Sequence, residues 1–230
     1  MSTAYKNSKR QTGSQREVPR VTVTDGVVQM SGYQRYTLTR NAVTPQSYAP
    51  KFAFIQKFIA SQYASGCRSI ADLGCSNGMV CFMANQIGYD RIHALDHDLD
   101  CLKVIDVAKD ALNFDTVRPQ QYSFGDSIEK VDVLIMGALI HWVFSCTALY
   151  GSFDKIISYL RENVGRVLLI EWVDPADAAI KAFKHIKYNP GVVKEAYTRQ
   201  NFINSLRKHF KSVDKVFTVR NTRELFIAHV

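Results

Sequence analysis

No stretch of this 230-residue chain is apolar for long enough to cross a bilayer. The most apolar segment, Val131 to Ile140, has ten residues with Asp132 among them, about half of the ~20 that a spanning helix needs. The basic N-terminus leads into no apolar run, so no secretory signal peptide is expected. Cysteine is sparse: Cys67, Cys75, Cys81, Cys101 and Cys146 are odd in number and form no C-x-x-C pair. That disfavours a disulfide framework and a structural zinc site. Together these absences lead us to expect a soluble, cytoplasmic protein. No internal repeat is visible. With 47% apolar and 22% charged residues, the composition fits one globular domain with a sizeable core.

Acidic residues are few, and the net charge of +8 is unevenly spread. Residues 1–20 carry Lys6, Lys9, Arg10, Arg16 and Arg20 against Glu17, a local charge of +4. Eleven basic groups between Lys181 and Arg223 face only Glu195 and Asp214, giving +9 and leaving −5 for the rest. An anionic partner such as nucleic acid is therefore kept open beside the plainer reading of a solvated surface. The first 20 residues lack large apolar groups and read as a flexible basic tail.

From residue 21 to 50, β-branched residues, tyrosines and two prolines point to a short strand or a turn-rich cap. A helix over about Lys51–Ala64 follows, with Phe52, Phe54, Ile55, Phe58 and Ile59 mostly on one face. Strands and helices then alternate: a strand over Ser69–Cys75, a helix over Met79–Ile87, a strand over Arg91–Asp96, and a helix over Leu99–Leu112. Strands over Gln121–Gly125 and Val131–Gly137, a helix over Ser152–Asn163 and a strand over Arg166–Trp172 continue the series. Such alternation implies βαβ units, and so an α/β, Rossmann-like doubly wound sheet, mostly parallel, with helices on both faces. Beyond Pro175 the pattern is helical to about Tyr188, a Pro190-Gly191 turn interrupts it, and a helix spans Arg199–Phe210. Two closely spaced strands, Val213–Val219 and Leu225–Val230, pair as an antiparallel hairpin. Residues 21–230 read as one domain, with a cap at 21–50, a cofactor-binding core at 51–172, and acceptor-side helices and the hairpin at 173–230.

The G-x-G-x-x-G fingerprint of dinucleotide-binding folds is missing. In its place stands Asp72-Leu73-Gly74-Cys75-Ser76-Asn77-Gly78, where a strand turns into a helix. Gly74 and Gly78 let backbone pass close to a ligand, and Asp72 would repel a pyrophosphate but suit a cationic ligand. These residues resemble motif I of the class I S-adenosylmethionine-dependent methyltransferases. The resemblance covers Lys51 to Trp172 and implies that Asp72, Gly74, Cys75, Ser76, Asn77 and Gly78 cradle the cofactor. It further implies that Asp96, with His97 beside it, accepts hydrogen bonds from the ribose hydroxyls; Asp98 is the alternative. Asp126 and Ser127 take the adenine side, although a turn-forming role suits Asp126 nearly as well.

Methyl transfer to a hydroxyl needs in-line orientation and a base. His141, after the fourth strand, has the ordinary pKa for that task. Glu171 and Asp174, after the fifth strand, are the other candidates; a helix start with Asp174 as N-cap, Pro175 at N1 and Asp177 at N3 is the structural alternative. A divalent metal at these acids is open but not favoured. Trp172-Val173-Asp174-Pro175 and Thr222 to Phe226 are also similar to small sugar O-methyltransferases of large algal virus glycan synthesis. That likeness implies a sugar or glycan hydroxyl as acceptor, with Trp142, Trp172 and Tyr36 as rings to cover it. A nucleic-acid methyltransferase is the competing class, but N-P-P-Y, D-P-P-Y and a K-D-K-E set are all missing. A binding module without chemistry is disfavoured by acids at several strand tips.

Overall fold

The computed structural model describes residues 18–146, 151–188 and 196–230. Most of the expected basic tail and the expected Pro190-Gly191 turn lie outside the described residues. The cap is a four-stranded antiparallel meander: β1 (Arg20–Thr24), β2 (Val27–Ser31), β3 (Tyr36–Leu38) and β4 (Val43–Pro45). It is more regular than the short strand or turns we expected. Asp25 and Gly26, with φ of 48° and 74°, close the first hairpin. Two successive positive φ values match the twist of antiparallel strands, and Asp-Gly is a favoured pair for that turn.

Helix α1 (Ala49–Ala64) then leads into β5 (Ser69–Leu73), α2 (Met79–Ile87), β6 (Arg91–Asp96), α3 (Leu99–Leu112) and β7 (Val117–Gln121). The second half runs β8 (Val131–Met136), α4 (Ile140–Cys146), α5 (Phe153–Asn163), β9 (Val164–Val173), α6 (Ala178–Phe183), a 3₁₀ turn His185–Tyr188, α7 (Arg199–His209), β10 (Ser212–Arg220) and β11 (Arg223–His229). These strands form one seven-stranded sheet in the order β10-β11-β9-β8-β5-β6-β7. The five central and outer strands β9, β8, β5, β6 and β7 are parallel; β11 is antiparallel to both of its neighbours.

The central strands bury both faces, so they read as nearly continuous apolar runs. Ile70, Val133, Ile135, Val167 and Leu169 point into the layer formed with α1, α2, α3 and the cap. Their neighbours Ala71, Leu134, Met136, Leu168 and Ile170 point into the layer formed with α4, α5 and α7. Fully burying such a side chain contributes about 1.5–3 kcal/mol.

Three expectations are corrected. The strand expected at Gln121–Gly125 is β7, four residues earlier; Pro119 argues against a strand, but β7 lies at the sheet edge, where proline is tolerated. Helix α4 was not expected, because it is only seven residues long and merges with the apolar run before it. The N-cap of α6 is Asp177, whose side chain accepts from the Ala179 N–H; Asp174 instead closes a turn by accepting from the Ala176 N–H.

Candidate active site

The sheet order reverses at β5: the chain proceeds outward through β6 and β7, then returns to the other side of β5 with β8. In open α/β sheets the crevice outside the carboxyl ends of the strands at such a reversal is where ligands bind. Asp72 near the end of β5, Asp96 at the end of β6, Gly137 after β8 and Glu171 near the end of β9 surround it.

The loop after β5 is fastened at nearly every backbone group. The N–H groups of Gly74 and Cys75 donate to the Leu95 carbonyl at 2.8 and 3.1 Å, and Gly78 N–H donates to the Cys75 carbonyl. Ser76, held at φ 54°, donates its N–H to Asp96 Oδ2 at 2.8 Å. Gly78 has φ 85°, and a Cβ there would lie 2.9 Å from Ile105 Cγ1, so both conformation and space demand glycine. Cys75 is buried, and burial raises its thiol pKa well above the usual range, so it packs rather than reacts.

The cap clamps this loop from outside. Tyr36, wholly buried, donates its hydroxyl to the Asn77 carbonyl at 2.5 Å. The Asn77 amide donates to the carbonyls of Ser31 and Gln34, and Gln34 Oε1 accepts from the Met79 N–H. Tyr36 is thus a support for the loop; its burial corrects the expectation that it covers an acceptor.

Asp72 is 5% exposed, and burial raises its pKa to about 7 against the lowering effect of nearby Lys51. Lys51 Nζ reaches Glu171 Oε2 at 2.5 Å, and Glu171 is wholly buried. That ion pair takes one oxygen of the carboxylate expected to act as a base, beneath Gly137; among the described residues the other, Oε1, has no hydrogen bond and lies 3.9 Å from Arg223 Nη1. Lys51 was missed, although a lysine four residues before Ile55 on an apolar helix face is a signal in itself.

Asp96 accepts from the Ser76 N–H with one oxygen and from the Asp98 N–H with the other, and His97 Nδ1 lies 3.3 Å from it. His97 is mostly exposed. Asp98 caps α3 by accepting from the Asp100 N–H. Asp126 and Ser127 are exposed; Asp126 Oδ2 accepts from the Ser123 N–H at 2.7 Å, the turn-forming role.

Past β8 and β9 the side chains come in pairs. His141 Nδ1 lies 2.8 Å from His185 Nε2, and both rings are buried. Burial pushes the pKa of His141 down to about 3, with His185 and Arg223 adding to it, and that of His185 to about 4. Both rings are therefore neutral at physiological pH, a departure from the ordinary value that the sequence suggested. Trp142, partly buried, stacks on His185 at 4.0 Å. Asp177 accepts from Arg223 Nε and Nη2 at 2.9 Å each and from the Thr222 hydroxyl, which hold its pKa well below the carboxylate range. Asp174 is half-buried beside this pair, its N–H donating to the Thr222 carbonyl. Trp172 is 1% exposed and stacks between Tyr197 and Phe202, so it belongs to the core and not to an acceptor surface. A residue near a strand end still faces inward when its register does. Among the described residues, no group of three His, Cys, Asp or Glu side chains is placed to hold a metal ion, and no helix is long and apolar enough to cross a membrane. His185 carried no sequence signal, and Arg223 stood out only within the Thr222 to Phe226 likeness, because their partners are 44 and 46 residues away.

No protein-family model matches the sequence, and no curated protein matches it closely. Solved structures do. The chain is similar to magnesium protoporphyrin IX methyltransferase from Synechocystis PCC 6803 with bound SAH, at 16% identity and TM-score 0.53, over 77% of this chain and 82% of that one. It is also similar to WbdD, described as a bifunctional kinase-methyltransferase, at 12% identity and TM-score 0.58, over 77% of this chain and 39% of that one. A third is an O-methyltransferase family protein from Burkholderia thailandensis, at 13% identity and TM-score 0.57, over 79% and 56%. The chain has the fold of the class I S-adenosylmethionine-dependent methyltransferases.

Proposed function

We propose that this chain is an S-adenosylmethionine-dependent O-methyltransferase acting on a hydroxyl of a sugar, a glycan or a similar small acceptor. The observation that carries the reading is the junction at the sheet reversal, where buried Asp72 adjoins a glycine-flanked loop whose backbone is tied to Asp96. The donor set fits that cofactor. A buried acid with its pKa raised to about 7 gains from a cation placed beside it, and the Asp96 carboxylate retains lone pairs for two ribose hydroxyls after its bonds to Ser76 and Asp98. When bound, the cofactor supplies an electrophilic methyl group.

The chain's own residues bind, orient and move a proton. Gly74 to Gly78, with Cys75, Ser76 and Asn77 between, hold the nucleoside side, and His97, Asp126 and Ser127 flank it. Neutral His141 accepts the acceptor's hydroxyl proton at Nε2, the nitrogen remote from His185, while the bond to His185 fixes the ring's rotation. Asp174 keeps one oxygen for an acceptor hydroxyl, and Trp142 offers a ring face. Lys51 and Glu171 hold each other and leave the floor of the crevice neutral as a pair.

The test has two stages. Calorimetry with S-adenosylhomocysteine should show binding; no heat at about millimolar ligand overturns the cofactor assignment. Labelled S-adenosylmethionine should then mark sugar-bearing acceptors in a panel with nucleotide sugars, glycans, short RNAs and small phenols. Label confined to RNA or phenols overturns the acceptor.

A further inference from the structure

The outer face of the cap carries two tyrosines that the core does not use. Tyr33 and Tyr48 are 53% and 39% exposed, with ring centroids 6.2 Å apart. With Gly32, Arg35 and Ser47 they line an open cleft of about 450 Å³. Tyr48 sits in the left-handed region at φ 51°, a costly conformation for a bulky side chain and one that persists mainly where surroundings enforce it at functional sites. The enforcement is visible. Arg35 N–H donates to Ser47 Oγ, and the Arg35 carbonyl accepts from the N–H groups of Gln46 and Ser47, so the two walls are tied together.

Positive charge surrounds the rings. The Arg220 guanidinium lies 5.3 Å from the Tyr48 ring centre and donates to its hydroxyl at 3.1 Å. Arg35 and Arg220 are exposed, and among the described residues no carboxylate pairs with either. By contrast Arg223, which hydrogen-bonds Tyr33, is neutralised by Asp177. Guanidinium groups without acids beside tyrosine faces match a ligand that bears phosphate next to a ring. The cleft also adjoins the site: Tyr33 hydrogen-bonds Arg223, whose guanidinium pairs with Asp177 and lies 3.9 Å from Glu171.

We propose that this cleft is the outer part of the acceptor site and binds the phosphate of a sugar phosphate or a nucleotide sugar, with Arg35 and Arg220 on the phosphate and Tyr33 and Tyr48 over the ring. The proposal rests on the reading of the chain as a methyltransferase of sugar hydroxyls.

Protein saturated with S-adenosylhomocysteine is titrated with glucose 1-phosphate, uridine diphosphate glucose, methyl glucoside and a ten-nucleotide single-stranded RNA. At least one phosphorylated sugar should bind ten times or more tighter than methyl glucoside. A tighter glucose 1-phosphate identifies a sugar phosphate, and a tighter uridine diphosphate glucose a nucleotide sugar. Arg35→Ala with Arg220→Ala should weaken that probe at least tenfold while leaving the S-adenosylhomocysteine heat unchanged. Equal affinity in the double variant, or no binding of either phosphorylated sugar, overturns the proposal. So does RNA that binds more tightly than both and is released by the same substitutions. Failure of S-adenosylhomocysteine to bind the unmodified chain would instead strike the methyltransferase reading, and it is scored separately.

Discussion

The two rims of the crevice are built in opposite ways. At β5 and β6 the site is mostly backbone, with Gly74, Cys75, Ser76 and Gly78 N–H groups all bonded within about twenty residues of sequence. At β8 and β9 it is side chains, paired across the chain: Lys51 with Glu171 over 120 residues, Asp177 with Arg223 over 46, His141 with His185 over 44. A backbone cradle tolerates change in most side chains but not in its glycines. A set of buried pairs fails when one partner is removed, because the other is left uncompensated.

The sharpest way to break this comparison is His141→Ala, which should lower kcat by about 10² to 10⁴ with cofactor affinity nearly intact. An acidic limb of the pH–rate profile well below pH 6 is expected, since burial depresses the pKa of both rings; a limb at 6.5 would place the base elsewhere. Asp177→Ala leaves the buried Arg223 guanidinium only the longer contact to Glu171 at 3.9 Å and should cost about 3 kcal/mol in chemical denaturation. On the cradle side, Asp96→Ala should weaken S-adenosylhomocysteine binding by about 1.5–3 kcal/mol, read by calorimetry, and unchanged affinity would refute the ribose role.

Asp72 gives a smaller, pH-dependent effect. Its pKa is raised from 3.8 to about 7, so the folded chain binds a proton that the unfolded chain has lost, and this group lowers stability as pH rises from about 4 to 7. The buried histidines act in the opposite sense: unfolded rings take up protons below pH 6.5, so their contribution is lost as pH falls toward 4 and then 3. Asp72→Asn should therefore steepen the acid loss of stability seen in melts at stepped pH. A cation bound beside Asp72 ionises it, so affinity for S-adenosylmethionine should rise with pH up to about 7, with proton release seen as buffer-dependent heat. Asp126→Ala should be the least consequential, under about 1 kcal/mol in cofactor binding, because the carboxylate mainly serves its own turn.

The strand-to-helix junction after β5 was legible because its signals are local. Asp72 to Gly78 sits at a strand-to-helix junction, and Met79–Ile87, Arg91–Asp96 and Leu99–Leu112 were expected with the bounds they have. Where a fact depends on the neighbouring strand, the sequence misled. Pro119 is acceptable only because β7 has a free edge, and Trp172 looks like a surface ring until the stacking with Tyr197 and Phe202 is seen. His185 and Arg223 acquire meaning only from partners far along the chain. The tyrosines of the cap were visible as residues, but their division follows from placement: Tyr36 is buried within β3, whereas Tyr33 lies in the turn before β3 and Tyr48 at the start of α1, both exposed.

Strand β11, the latest in this chain, is not at the border of the sheet but wedged between β9 and β10. Until it arrives, β9 presents an unsatisfied row of amides and carbonyls along Val167 to Val173, a template for pairing with any extended chain nearby. Assembly of the sheet thus waits on its last strand, whose pairing with β9 joins residues 50 to 62 apart; such non-local closure slows folding and lengthens the interval in which two copies can stick to each other. The same insertion carries Arg223 to Asp177, so the step that seals the sheet also neutralises that buried carboxylate, and a half-assembled chain has the loop after β5 tied to Asp96 before the groups beyond β9 are paired.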